Sequence, residues 1–242
     1  MTDSLVIIPT YNEKENIEKI IRKVFSLSYV FDILIVDDGS PDGTAQIVKS
    51  LQQEFPDQLH IEERKGKLGL GTAYIHGFSW ALKRDYEFIF EMDADFSHNP
   101  DDLIPMLHAC KNEADVVIGS RYIKGVNVVN WPMSRVLMSY FASGYVRLIT
   151  GINIQDATAG FICYRQKVLA TIPLNKIKFV GYAFQIEMKF TALQYGFKVL
   201  EIPIIFTDRT AGVSKMSTRI FREAFFGVIQ MKLNSLFRNY KS

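Results

Sequence analysis

Five short apolar runs, each followed by a stretch of helical periodicity, constrain this chain more than any other feature. Leu5–Ile8, Ile33–Val36, Leu59–Glu62, Phe88–Met92 and Val116–Gly119 have the length and composition of buried strands. Between them, Ile17, Ile20, Ile21, Val24 and Phe25 fall on one helical face of a segment opening at Asn12 or Glu13. Further helices are expected from Ala45 to about Phe55, from Gly71 through Leu82, and from Pro100 onward. Strand and helix alternating at this spacing predict an α/β fold with a mostly parallel central sheet covered by helices on both faces. At 242 residues the chain can bury one large domain, or one domain plus a small extension.

Several classes of function are excluded early. The first strand is stopped by Pro9-Thr10-Tyr11 with no GxGxxG after it, which disfavours a dinucleotide-dependent dehydrogenase. Asp38, Ser40, Asp42 and Gly43 imitate the start of a calcium loop, but Lys49 stands where a bidentate Glu is needed. Cys110 and Cys163 lack CxxC spacing and read as two reduced thiols. Neither a secretory signal nor an 18-residue apolar run is visible. Charge is unevenly spread: from Arg209 to Ser242 there are seven Lys or Arg against one acid, Glu223. A basic end of this kind suggests an anionic surface or ligand. Its basic residues accompany an aliphatic and aromatic stripe, which argues against nucleic acid.

The chemistry is expected around Glu87–Ser97, where the apolar run ends in Asp93 and Asp95. Carboxylates at i and i+2 on extended backbone point to the same side, and the end of a strand in an open α/β sheet faces the ligand crevice. The pair suits a hard divalent cation carrying phosphate oxygens; a solvated turn is the alternative. Arg64–Gly71 reads equally as a phosphate-contacting loop or a plain turn. After Arg121 the pattern changes. Residues 131–150 form a long apolar-rich helix candidate with Arg135, Ser139 and Arg147, and the small-residue loop 155–161 feeds a strand through Tyr164. Glu187, on a helix from Tyr182 to Tyr195, reads as a paired or capping residue before a base. A strand spans Phe197–Phe206, and a helix from Thr218 to Tyr240 carries Phe221, Phe225, Val228, Ile229, Leu233, Leu236, Phe237 and Tyr240 on one side. That stripe serves either packing on the domain or an interfacial membrane helix.

Pro9-Thr10-Tyr11-Asn12-Glu13, Val36–Thr44, Leu68–Tyr74, Met92-Asp93-Ala94-Asp95 and Gly119-Ser120-Arg121-Tyr122 occur in order. Together they resemble the family 2 inverting glycosyltransferases, and within them the dolichol-phosphate (polyprenol-phosphate) mannosyltransferases. The resemblance runs from Leu5 to about Met216 and implies a GT-A fold in residues 1–216, with residues 217–242 as an amphipathic basic helix. It implies transfer of mannose from GDP-mannose to a polyprenyl phosphate with inversion. The alternative is UDP-glucose or UDP-N-acetylglucosamine with a lipid-phosphate or glycan acceptor.

Carried over by position, Pro9, Tyr11, Glu13, Val36 and Asp38 would hold the base and ribose end of the donor. Asp93, Ala94 and Asp95 would hold Mg²⁺ or Mn²⁺ and the diphosphate, with Arg121 also on the donor and Arg209 and Lys215 closing over it. Arg121, Arg135 and Ser139 would grip the lipid phosphate, and Asp95, Arg121 and Arg209 would be catalytic. The implied setting is cytoplasmic, peripheral on the cytoplasmic face of a membrane. Contact would come through the terminal helix, residues 131–150 or a membrane-anchored partner subunit. Two positions depart from the family pattern: Ser97 replaces a Gln found in some relatives, leaving water as a third metal ligand, and Ile162 replaces an Arg after Gly160-Phe161.

Overall fold

The computed structural model describes residues 2–208, 218–237 and 240. In chain order the strands are β1 (Ser4–Thr10), β2 (Asp32–Asp37), β3 (Leu59–Glu63), β4 (Phe88–Glu91), β5 (Val116–Ser120), β6 (Val128–Val129), β7 (Ile162–Arg165), β8 (Val199–Pro203) and β9 (Phe206–Thr207). The helices are α1 (Ile17–Phe25), α2 (Thr44–Leu51), α3 (Leu70–Ala81), α4 (Leu103–Asn112), α5 (Met133–Thr150), α6 (Gln166–Thr171), α7 (Tyr182–Gln194) and α8 (Thr218–Ser235).

Seven strands form one sheet in the order β3-β2-β1-β4-β7-β5-β8, and β7 alone runs antiparallel to its neighbours. The central strands are buried on both sides, which is why they read as continuous apolar runs and not as alternations. Alternate positions along each strand supply two separate cores. Leu5, Ile7, Leu34 and Ile89 pack under α3 and α7, whereas Val6, Ile8, Ile33 and Phe90 pack under α1, α2 and α4. Helix α3 crosses β1 so closely that a Cβ at Gly77 would stand 2.7 Å from Ile7 Cγ2, so only glycine fits there. Helix α8 packs against α5 and α7, with Gly227 seated on the Phe179 ring.

Several expected boundaries shift. Pro9 does not stop β1. At its level β4 has already ended, since Ile7 pairs with Glu91, so the N–H that proline lacks has no partner to miss. Helix α1 begins at Ile17 and not at Asn12 or Glu13, because the amides of Asn12, Glu13 and Lys14 donate to Ser40 Oγ, Thr44 Oγ1 and Asp42 Oδ2. Helix α2 ends at Leu51, short of Phe55. The single strand expected over 197–206 is two: Ile204 leaves β8 at Pro203, and Phe206 pairs with Asn127 and β6. Helix α8 ends at Ser235, before Tyr240.

Candidate active site at the strand ends

The parallel strands β1, β2, β4 and β5 deliver their C-terminal ends to one edge of the sheet, and the expected donor-side residues follow those ends. β1 and β2 finish in register, Thr10 opposite Asp37, so Tyr11 and Asp38 emerge side by side. Asp37 is structural, accepting from the Thr10 and Ser40 hydroxyls at 2.8 and 2.6 Å. Asp38 is 6% exposed and accepts from Arg64 Nε at 2.7 Å and from the Leu68 amide at 3.3 Å. Arg64 also donates to Thr72 Oγ1 at 2.9 Å. The basic loop is therefore neither a plain turn nor a free phosphate cradle at Arg64: its first cation is spent on orienting Asp38. Lys67, from the same loop, lies 5.2 Å from the Tyr11 ring centroid. The Val36 side chain is fully buried in the core, so at that position only backbone can face a ligand.

After β4 the chain turns sharply. Phe96 takes a left-handed φ of 60°, and Ser97 N–H donates to Asp95 Oδ1 at 3.1 Å. The Asp93 amide donates to His98 Nδ1 at 3.1 Å. His98 is 2% exposed, stacked on Phe161 with centroids 4.8 Å apart. Burial, with Arg121 adding to it against the opposing pull of Asp95, pushes the imidazole down to about 4, so it stays neutral and accepts at Nδ1. Half-buried Asp93 and buried Asp95 offer two hard carboxylates, and the buried Ser97 hydroxyl beside them has no hydrogen-bond partner among the described residues. Among the described residues no set of three or more His, Cys, Asp or Glu is gathered for a metal. Two carboxylates nevertheless fit Mg²⁺ or Mn²⁺ held together with substrate phosphates and water, the usual arrangement for such ions.

Arg121 follows β5 and is locked in place. Its Nε and Nη2 donate to the two oxygens of buried Asp156 at 2.7 and 2.6 Å, and Nη2 reaches Thr158 Oγ1 at 2.9 Å. Burial pushes the Asp156 carboxyl up, but the Arg121 charge and hydrogen bonds outweigh it and hold the group below the usual carboxylate range. Tyr122, Trp131 and Phe206 ring the guanidinium at 5.3 to 5.5 Å. Arg135 lies 4.0 Å over the Trp131 ring and donates to Asp208 Oδ1 at 2.9 Å, while Ser139 neighbours Tyr122. The structure thus brings Arg121, Arg135 and Ser139 to one aromatic-lined place beside the Asp93–Asp95 turn. Arg209 and Lys215 lie outside the described residues. Glu187 accepts from the amides of Lys178 and Phe179 in the loop before α7, so these bonds pair it with loop backbone and not with a helix end.

Residues 5–172 match the family model described as glycosyl transferase family 2. The chain belongs to that family. It is a family 2 glycosyltransferase and hence an enzyme. It is 47% identical over 227 residues to a polyprenol monophosphomannose synthase of Mycolicibacterium smegmatis, covering 94% of this chain and 86% of that protein. It is 43% identical over 229 residues to an undecaprenyl-phosphate mannosyltransferase of Micrococcus luteus, covering 95% and 93%. Among solved structures, a mannosyltransferase of Pyrobaculum calidifontis in complex with GDP-mannose and Mn²⁺ superposes with a TM-score of 0.57 at 16% identity, over 97% of this chain and 74% of that one. The transferase fold expected from the motifs is therefore present.

Sequence reading missed Arg64, His98 and Lys189. Arg64 precedes the Leu68–Tyr74 motif and His98 follows Met92–Asp95, and each acts on a residue of another stretch, Asp38 or the Asp93 backbone, which no spacing rule reveals. Lys189 lies in an apolar helical pattern and is fully buried, its ammonium on the carbonyls of Ala157 and Ala159 at 3.0 and 2.5 Å.

Proposed function

We propose that this transferase moves mannose from GDP-mannose to a polyprenyl phosphate with inversion, at the cytoplasmic face of a membrane. The observation that carries the reading is the meeting of two functions at one sheet edge. An Asp93–Asp95 turn fit for a diphosphate-bound cation adjoins Arg121, whose Nε and Nη2 are held by Asp156, and Arg135, two fixed guanidinium charges suited to a phosphate acceptor. The names of the two relatives, both acting on polyprenyl phosphates, support the acceptor, and the GDP-mannose complex of the more distant structure supports the donor.

In this reading Tyr11, Glu13 and Asp38 hold the nucleoside end, with Pro9 and the Val36 backbone beside them. Asp93, the Ala94 backbone and Asp95 hold Mg²⁺ or Mn²⁺, whose contribution when bound is Lewis-acid stabilisation of the leaving diphosphate. Arg209 and Lys215 add positive charge over the donor. A phosphate monoester is largely dianionic near neutral pH, since its second pKa is ~6, so the acceptor attacks without a general base. What the protein supplies is orientation: Arg121, prealigned by Asp156, and Arg135, whose surface pair with Asp208 is exchangeable for a phosphate.

The lipid acceptor also gives a purpose to exposed apolar side chains. Met133, Leu137, Met138 and Phe141 on α5, and Phe226, Leu233, Leu236 and Phe237 on or just after α8, face solvent, and the two helices touch. No helix among the described residues is long and apolar enough to cross a membrane. We assign residues 1–216 to catalysis and 217–242 to membrane contact. The test is transfer of labelled sugar into an organic-extractable lipid, with GDP-mannose, UDP-glucose and UDP-N-acetylglucosamine in parallel, with and without Mg²⁺ or Mn²⁺. Metal-dependent labelling from GDP-mannose, lost in Asp95→Ala, is expected. Labelling only from a UDP-sugar would overturn the donor, and an α-configured product would overturn inversion.

A further inference from the structure

The segment Gln155–Ala159 is held from four elements at once. Glu201 on β8 accepts the amides of Gln155 and Asp156 at 2.7 and 2.9 Å. Arg147 on α5 donates to the Gln155 side chain and carbonyl at 2.8 and 3.1 Å. Arg121, following β5, takes the Asp156 carboxylate and the Thr158 hydroxyl. The fourth hold is Lys189 on α7, fully buried, with its ammonium on the Ala157 and Ala159 carbonyls. Those two carbonyls flank Thr158 and follow Asp156, so the lysine fixes the backbone that carries both of Arg121's partners. A fully buried ammonium is costly; this one lies among the buried carboxylates of Asp156 and Glu91, with Arg121 across the same five-residue loop.

We propose that Lys189 is a positioning residue for the acceptor phosphate: it fixes the Asp156–Thr158 segment and thereby the plane and reach of the Arg121 guanidinium. The inference rests on the reading that Arg121 contacts that phosphate. Lys189 touches no substrate itself. Without it Asp156 still pairs with Arg121, but the loop moves relative to β5 and the guanidinium points less accurately. Phosphate recognition by a rigid fork is sensitive to that loss, whereas the donor side, built on β1, β2 and β4, is not.

The experiment is a double-mutant cycle of Lys189→Met and Arg121→Lys, reading the KM for polyprenyl phosphate, kcat, and GDP affinity in the presence of Mn²⁺. Lys189→Met should raise the acceptor KM at least tenfold, with GDP affinity within twofold of wild type. In the Arg121→Lys background, where no fork remains to orient, the same substitution should add less than twofold. Full additivity, or equal weakening of GDP and acceptor, would reduce Lys189 to a general packing role and overturn the inference. If Arg121→Lys leaves the acceptor KM unchanged, the reading of Arg121 fails. If Arg121→Lys raises it and Lys189→Met does not, the inference alone fails. Should Lys189→Met not fold, Lys189→Gln, which keeps a donor for one carbonyl, should give an intermediate acceptor KM; a wild-type value there counts against the proposal.

Discussion

Asp38 joins two turns that are far apart in sequence. It leaves β2 in register with Tyr11, and its carboxylate is held by Arg64 from the turn after β3. An almost buried carboxylate without its cation would rotate away from its present position, since removing one partner leaves the full desolvation cost on the other. Arg64→Ala should therefore weaken GDP binding about tenfold, or about 1.4 kcal/mol. Arg64→Lys should fall between, because an ammonium cannot bridge Asp38 and Thr72 as the fork does. Calorimetric titration with GDP and Mn²⁺ measures this, and a wild-type affinity for Arg64→Ala would remove Arg64 from the donor site. Asp156 makes a different prediction. Its folded pKa is depressed, so the Arg121 pair stabilises the protein above about pH 3.9, the unperturbed Asp value, and that stability is lost as pH falls through the folded value. Asp156→Asn should flatten the fall in urea midpoint between about pH 5 and pH 3; an unchanged slope would show that other groups dominate acid unfolding.

At the scale of elements, α8 shows how one stripe can serve two purposes. Val228 and Met231 enter the core, and Phe225 stacks on Tyr145 with centroids 4.6 Å apart. Leu233 and Phe237 remain 55% and 90% exposed. Substitutions on the two sides should separate. Met231→Ala should cost about 2 kcal/mol of stability, the low end for a buried methionine. Leu233→Asp with Phe237→Asp should change stability by no more than about 0.5 kcal/mol while greatly reducing co-sedimentation with vesicles containing anionic lipid. Unchanged sedimentation of the double variant would leave α5 or a partner subunit as the anchor. Helix α5 differs in carrying both kinds of residue: Arg135 and Ser139 turn to the site, whereas Met138 and Phe141 face solvent.

For the molecule as a whole, the site belongs to no single element. Its residues follow the ends of β1, β2, β4 and β5, strands that share both cores. Ligand that bridges these ends should stabilise the folded protein cooperatively. GDP with Mn²⁺ at a hundred times Kd contributes about 2.7 kcal/mol, which for a domain of this size is a rise in Tm of roughly 5–10 °C. A thermal shift should show it in wild type and lose it in Asp95→Ala.

The sequence alone determined the α/β class, because buried strands and amphipathic helices leave periodic marks that need no partner to be read. It also determined the acidic pair and the Gly-Ser-Arg motif, because those residues sit where a strand ends, a local feature. Tertiary structure decided the rest. Whether Pro9 ends a strand depended on where β4 stops, and where α1 begins depended on which loop takes the amides of residues 12–14. Arg64, His98 and Lys189 acquired their roles from groups 26, 5 and about 30 residues away. Such pairings carry no period along the chain, because the fold and not the spacing brings a buried cation to its acceptors.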